Sequence, residues 1–345
     1  MNKSKLVFIG TFAIMVAFIL TLSIFYSRAI KKKLHFEYQL GEEIAAPKDK
    51  EPDSAAVKMN FNESGSRLIT LLNNGNIDIW DLSNQKKTVS YSTDSVFSYC
   101  RVNDYIIVSD KDDIFYIDVN NGEKFRLTGG KYNYSSIDDN CDKLALAGQD
   151  NKIEIWNLVQ PGIIATISTS LPVRNGLDIS PDGSLVAAAE GIYHEDENRH
   201  ETMIEMWKLD LGKTYKLGSV KGYAVAGVWN LFFSPENSSL IFDTQLSAQS
   251  GVAISDLEGN TVFDKSEFDS FWTRAIAVSP DGNILATGDE KGNLVLWNLN
   301  TKEIKSYYRL GDVIESLAFS KNGSLLAAGL ANSTIQVFQM IRPEK

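Results

Sequence analysis

Between Glu190 and Glu201 the chain reads EGIYHEDENRHE, which brings His194, Glu195, Asp196, Glu197, His200 and Glu201 into one short stretch. Imidazole and carboxylate groups are the ordinary ligands of divalent cations, but their spacing here fits no H-E-x-x-H helix face. A solvated acidic segment needs no ion, and it can equally present negative charge to a basic partner. No metal site is therefore expected. Two of the chain's three histidines lie in this stretch, so a Ser-His-Asp arrangement would have to be assembled there. G-x-S-x-G does not occur, and the glycines sit in turn contexts rather than in a phosphate-cradling loop. Catalytic residues and cofactors are both expected to be absent. Cys100 and Cys141 form no C-x-x-C pair. A single bridge between them is possible in an oxidising compartment, but their spacing does not favour one, and each is expected to behave as a small buried apolar residue.

What must position any site is a repeat. Seven segments end in the same short apolar phrase: Ile77 to Leu82 (IDIWDL), Ile114 to Val119, Ile153 to Leu158 (IEIWNL), Ile204 to Leu209 (IEMWKL), Val252 to Leu257, Leu294 to Leu299 (LVLWNL) and Ile335 to Met340. From Trp80 to Phe338 the mean interval is 43 residues, the period of four-stranded propeller blades. Alternation of apolar and polar side chains makes each phrase a strand with one buried face. A second strand precedes each phrase, often built of small residues, as in LALAG, LVAAA, ILATG and LLAAG. Before that strand comes a tight turn such as SPDGS (Ser180 to Ser184) or SPDGN (Ser279 to Asn283), whose Pro presets φ and whose Asp-Gly tolerates positive φ.

The S-P-D-G-x-L-h-A-x-G turn and strand, followed by D/N-G-x-h-x-h-W-D/N-L, resembles the WD40 repeat family over about residues 55 to 340. AVSPDGNILATGDEKGNLVLWNL (Ala277 to Leu299) is close to the family pattern. The resemblance implies an all-β, seven-bladed propeller. Two departures stand out: only Trp80-Asp81 is a literal Trp-Asp pair, and the Gly-His dipeptide of many such repeats is absent. With His35, His194 and His200 as the only histidines, the family's His-to-Asp relay has no counterpart in these blades. Leu34 to Leu40 (LHFEYQL) alternates and is expected to supply the outer strand that the last unit lacks, with residues 41–56 as loop or linker.

In an up-and-down sheet the connections after the second and fourth strands share one face, and those after the first and third share the other. The extra residues fall on the first of these faces, in blades four to six: Glu190 to Thr202, Lys221 to Val228, Gln245 to Gly251 and Ser266 to Thr273. They bring Tyr193, Tyr223, Phe268, Phe271 and Trp272, with Trp229 at the next strand's start. Loops on a rigid scaffold favour recognition, and aromatic side chains dominate interface energetics. These six residues are the expected protein- or peptide-binding set. The bland alternative is that they pack between blades or under their own loops.

Residues 1–5 form a short tail, and Leu6 to Ser27 (LVFIGTFAIMVAFILTLSIFYS) is an uncharged run long enough to cross a bilayer as one helix. An uncleaved anchor is expected over a removed signal, because the run is long and Arg28 interrupts the small residues Ser27 and Ala29. Residues 28–33 are basic, and counting bases at the two ends leans slightly toward a cytosolic propeller. The chain carries 34 Lys plus Arg against 44 Asp plus Glu, and six of those bases precede residue 34. The remainder, residues 34–345, is strongly acidic, which argues against nucleic acid as a partner. The expected function is a membrane-anchored, non-catalytic interaction scaffold. The alternatives are an exported propeller enzyme (a hydrolase or lyase) and a ligand or metal sensor acting through residues 190–201.

Overall fold

The computed structural model describes the backbone of residues 39–45 and the chain from 54 to 341, with 149, 195–198, 211–212, 222–227, 247–248 and 265–271 outside the described residues. The described part is all β: seven antiparallel four-stranded sheets. In the first blade β2 (Ala56–Phe61), β3 (Arg67–Leu72), β4 (Asn76–Asp81) and β5 (Lys86–Ser92) follow one another from the inside out. The order repeats in blades two to six, and the repeated phrases form the third strand of each sheet. Burial is greatest in the second and third strands and falls in the fourth. In the first blade, β3 is almost wholly buried while β5 (KKTVSYS) is largely exposed. Polar residues in the fourth strand therefore meet water, and the ladder there depends on backbone rather than on side chains.

Seven apolar clusters hold the ring, one between each pair of neighbouring blades. Blades one and two share Ile69, Ile79, Phe97 and Ile106, for example, and blades seven and one share Phe61, Leu68, Ala327 and Val337. This explains the small residues of the second strand. A Cβ on Gly329 of β27 (Leu325–Leu330) would lie 2.6 Å from Ser316 Oγ and 2.8 Å from the Ala56 carbonyl oxygen of the next blade. Gly288 is in the same position against Ile314 at 2.5 Å. In the first and sixth blades the third-strand tryptophan is tied to a threonine of the second strand. Trp80 Nε1 donates to Thr70 Oγ1 at 3.2 Å, and Trp297 Nε1 donates to Thr287 Oγ1 at 3.1 Å.

The ring closes through β1 (Gln39–Ala45), which pairs antiparallel with β28 (Ile335–Ile341) as the outer strand of the seventh blade. The pairing runs from Gln39 opposite Ile341 to Ala45 opposite Val337, with irregularities on either side of Glu43. The closing strand thus extends through residues 41–45, which the alternation had assigned to loop or linker; Leu34 to Tyr38 and the Leu6 to Ser27 segment lie outside the described residues. Among the described residues no helix is long and apolar enough to cross a membrane.

One expectation from the sequence is corrected outright. Cys100, at the end of β6 (Phe97–Cys100), is bonded to Cys141, in the turn between β10 (Tyr132–Ile137) and β11 (Lys143–Gly148). The two lie 41 residues apart, close to one repeat, so they occupy neighbouring blades at nearly the same radius and height. The bridge staples blade two to blade three.

Candidate functional site: the connections of blades four to six

Two of the insertions expected as loops are extended hairpins. β15 (Leu185–His194) and β16 (Arg199–Asp210) stay paired out to His194 opposite Arg199, and β19 (Ser239–Leu246) and β20 (Gln249–Asp256) stay paired out to Leu246 opposite Gln249. The inner strand β14 (Val173–Ile179) pairs with β15 only as far as Glu190, so the hairpin of blade four projects beyond its own sheet. EGIYHEDENRHE is therefore mostly strand, and alternation broken by charge hid this. Among the described residues no group of His, Cys, Asp and Glu could hold a metal ion.

At the root of this hairpin sit two buried carboxyl groups, Glu190 and Glu205. The Leu171 amide donates to Glu190 Oε2 at 2.8 Å, Ser170 Oγ donates to Glu205 Oε1 at 2.9 Å, and Lys216 Nζ pairs with Glu205 Oε1. Burial, with the neighbouring Glu205 carboxylate, pushes Glu190 up to about 8. Burial also opposes ionisation of Glu205, but hydrogen bonds from Lys216, Glu190 and Ser170 outweigh it and hold Glu205 below the usual range. Glu190 Oε1 has no hydrogen-bond partner, so burial of the charged form is not offset there. The pair anchors the hairpin as a neutral acid beside a paired carboxylate.

Of the six aromatic residues expected to bind, the structure places two in full. Trp229 is 57 % exposed and Trp272 is 40 % exposed. Each sits in the connection that leads into the next blade, just before β18 (Leu231–Phe233) and β22 (Thr273–Val278) respectively. Tyr193 lies on the projecting part of β15, and its side chain is outside the described residues, as are Tyr223, Phe268 and Phe271 altogether. The remaining tryptophans behave differently: Trp80, Trp207 and Trp297 are buried between blades, and Trp156 is half-buried.

The exposed pair is held by backbone. Asp243, wholly buried in β19, accepts from the Trp229 amide at 2.8 Å and the Asn230 amide at 2.7 Å. Asn230 Nδ2 then donates to the Arg274 carbonyl at 3.0 Å, which ties the fifth blade to the sixth. The Glu290 amide donates to the Trp272 carbonyl at 3.1 Å. Two large aromatic rings are thus presented from fixed backbone on successive connections of one face. Asp243 escaped the sequence reading because FDT resembles any half-buried strand; only its place opposite the Trp229 turn reveals the cap.

The central channel is polar. A cavity of about 340 Å³ opens toward the opposite face and is lined by Lys58, Asn60, Ser98, Arg101, Ser136 and Asp178 among others. Ser136 Oγ donates to Asp178 Oδ1 at 2.7 Å and the Phe233 amide donates to Oδ2 at 2.8 Å, so one carboxyl joins blades three, four and five. Burial pushes Asp178 up to about 7. The surrounding channel wall lowers Lys58 by desolvation, although its side chain stays exposed within the channel, and the charge of Asp178 opposes that shift. Lys321 and Asp139, 3.2 Å apart, link the turns of blades seven and three on that same face.

A repeated, ring-closed, four-stranded unit with Trp-bearing third strands defines the protein as a β-propeller of WD40 type. The family described as "WD domain, G-beta repeat" matches at residues 268–298 and 304–339, so the chain carries WD40 repeats there, in its last two blades. Among curated relatives, "Protein groucho" of Drosophila melanogaster is 22% identical over 212 residues, 60% of this chain and 27% of that protein. "Small ribosomal subunit protein RACK1y" of Oryza sativa subsp. japonica is 41% identical over 71 residues, 20% of each. "Periodic tryptophan protein 2 homolog" of Dictyostelium discoideum is 27% identical over 113 residues, 33% of this chain and 12% of that protein. The chain spans less than a third of the length of each of these relatives.

Proposed function

We propose that this protein is a membrane-tethered, non-catalytic scaffold that binds a protein or peptide on the face built from the projecting connections of blades four to six. The observation that carries the reading is the contrast among the tryptophans. Three are buried between blades, whereas Trp229 and Trp272 stand exposed on adjacent connections whose backbone is pinned by Asp243 and Glu290. Rigidly held aromatic rings lose little conformational freedom on binding, which is why such residues concentrate interface energy. Tyr193, Tyr223, Phe268 and Phe271 belong to the same connections and would widen the surface. The tether is the uncharged run Leu6 to Ser27, and fixing the disc to a bilayer raises the local concentration of whatever it holds. One relative is by name a small ribosomal subunit protein, a component of a larger assembly, which agrees with a binding role.

The test is affinity capture of the tagged full chain from detergent extract, comparing the Trp229→Ala, Trp272→Ala double variant with Val159→Ala. Val159 is 69 % exposed on the opposite face and serves as the control. Recovery of a specific partner is expected to fall at least about tenfold in the double variant, as loss of two aromatic anchors implies, and to be unchanged in the control. Equal recovery from both would remove the face assignment.

A further inference from the structure

The disulfide is the one covalent feature that scaffold binding does not call for, and the residue placed in its turn points to a purpose. In six of the seven blades the turn between first and second strands has one geometry: the amide of a residue with positive φ donates back to the carbonyl three residues before it. In blades one, four, five, six and seven that residue is Gly65 (φ 73°), Gly183 (68°), Asn237 (57°), Gly282 (69°) and Gly323 (68°). In blade three it is Cys141, at φ 61°, with its amide donating to the Asp138 carbonyl at 3.1 Å. Glycine and asparagine tolerate this region, while cysteine has a Cβ and no local hydrogen bond to offset it. The thiol therefore stands where the turn alone would select against it, and its only partner is Cys100, with Cα atoms 5.6 Å apart. Both residues are buried and the chain contains no other cysteine.

We propose that Cys100 and Cys141 are a modification site for oxidative thiol–disulfide exchange, and that the propeller consequently folds and works on the oxidising side of its membrane. The co-reactant is a disulfide, small-molecule or protein-borne. The Cys141 thiolate, the less buried of the two, attacks one sulfur of that disulfide and expels the other as a thiolate. The Cys100 thiolate then attacks the Cys141 sulfur of the mixed disulfide and expels the second thiolate. Two electrons pass from the propeller to the co-reactant, which leaves as two thiols carrying the two protons the cysteines lost. A groove of about 260 Å³ between blades two and three is lined by both cysteines, with Tyr105, Tyr116, Leu158 and Val159 on its walls, and gives the co-reactant a route of approach. A structural bridge of this kind persists where no thiol pool reduces it, which excludes the cytosolic side that the count of flanking basic residues favoured. Any partner of the Trp229 and Trp272 face would then be met outside the cytosol. This inference does not depend on that face, which lies on the other side of the disc.

The experiment uses the full chain in cells that make it. Cells are quenched in acid, denatured, and treated with a polymer-linked maleimide with or without prior reduction. No mass adduct without reduction and two adducts after it are expected. Cys141→Gly, which restores the residue type of the sister turns, should fold and should show one adduct at Cys100 without reduction. A second arm treats intact cells or right-side-out vesicles with a protease and follows a tag at the carboxyl terminus, which should be removed. Two adducts without reduction would overturn the modification site, and a bridged protein whose tag survives until the membrane is breached would overturn the compartment. Partner capture by the scaffold face would be unaffected by either result.

Discussion

At the residue scale, the groups that decide behaviour are buried carboxyls. Asp243 accepts from the Trp229 and Asn230 backbone amides, so replacing it by Ala leaves those two donors unpaired just before β18. A loss of about 1 to 3 kcal/mol per orphaned donor sets the scale, read as a drop in the urea midpoint, and Asp243→Asn, which keeps an acceptor, should lose much less. Glu190 and Asp178 give a pH dependence whose sign is fixed. Their folded values are raised to about 8 and about 7, whereas an unfolded carboxyl titrates near about 4. The folded state therefore holds protons the unfolded chain has released, and stability is greatest below the unfolded value and falls as pH rises through 7 to 8. Glu190→Gln supplies an amide that donates to Glu205 without titrating. Melting temperatures of the variant and the parent should converge near pH 5 and separate in the variant's favour near pH 9; parallel curves would place the titration elsewhere.

At the scale of the elements, blade packing turns on the second-strand glycines and on the staple between blades two and three. A methyl on Gly329 must displace either Ser316 or the backbone of Ala56, so Gly329→Ala should destabilise by about 1 to 3 kcal/mol, the range for overpacking, while Gly311→Ala, with open space around it and only its positive φ to strain, serves as a comparison. Closing a 41-residue separation removes chain entropy equivalent to about 4 kcal/mol, so guanidinium unfolding with and without reductant should differ by up to that amount. These elements were unequally legible. The third strands declared themselves by Trp and alternation, and LALAG and LLAAG marked the second strands, because crowding between blades dictates small residues there. The hairpin 185–210 was hidden because charge at its tip breaks the alternation that burial would impose. The closing strand ran on past Leu40 because an outer edge needs backbone hydrogen bonds and hardly constrains side chains. The Cys100 to Cys141 link was not legible, because a separation of about one repeat places two residues in neighbouring blades only once the ring is built.

At the scale of the molecule, the disc is closed by its own beginning. β28 would be an unpaired edge without β1, and a bare edge of seven residues is a template for pairing with another chain. The latch begins only six residues after Lys33, so the tether proposed at Leu6 to Ser27 would be joined to the closing strand by a short stretch of sequence. Any pull transmitted through the residues before Gln39 would load the β1 to β28 ladder first, while the staple between blades two and three lies away from that seam. Deleting residues 39–45 should therefore leave blades one to six with their inter-blade clusters and open the ring only between blades seven and one. Hydrogen exchange read by mass spectrometry should show protection lost in 335–341 and then in 325–330 and 56–61, which share the Ala327, Val337 and Phe61 cluster, with 97–108 and 144–155 unchanged. Size-exclusion chromatography should show association through the freed edge, reversed by a synthetic Gln39 to Ala45 peptide. Uniform loss of protection around the ring would mean that closure supports every blade at once, and that the seven interfaces do not stand as separate units.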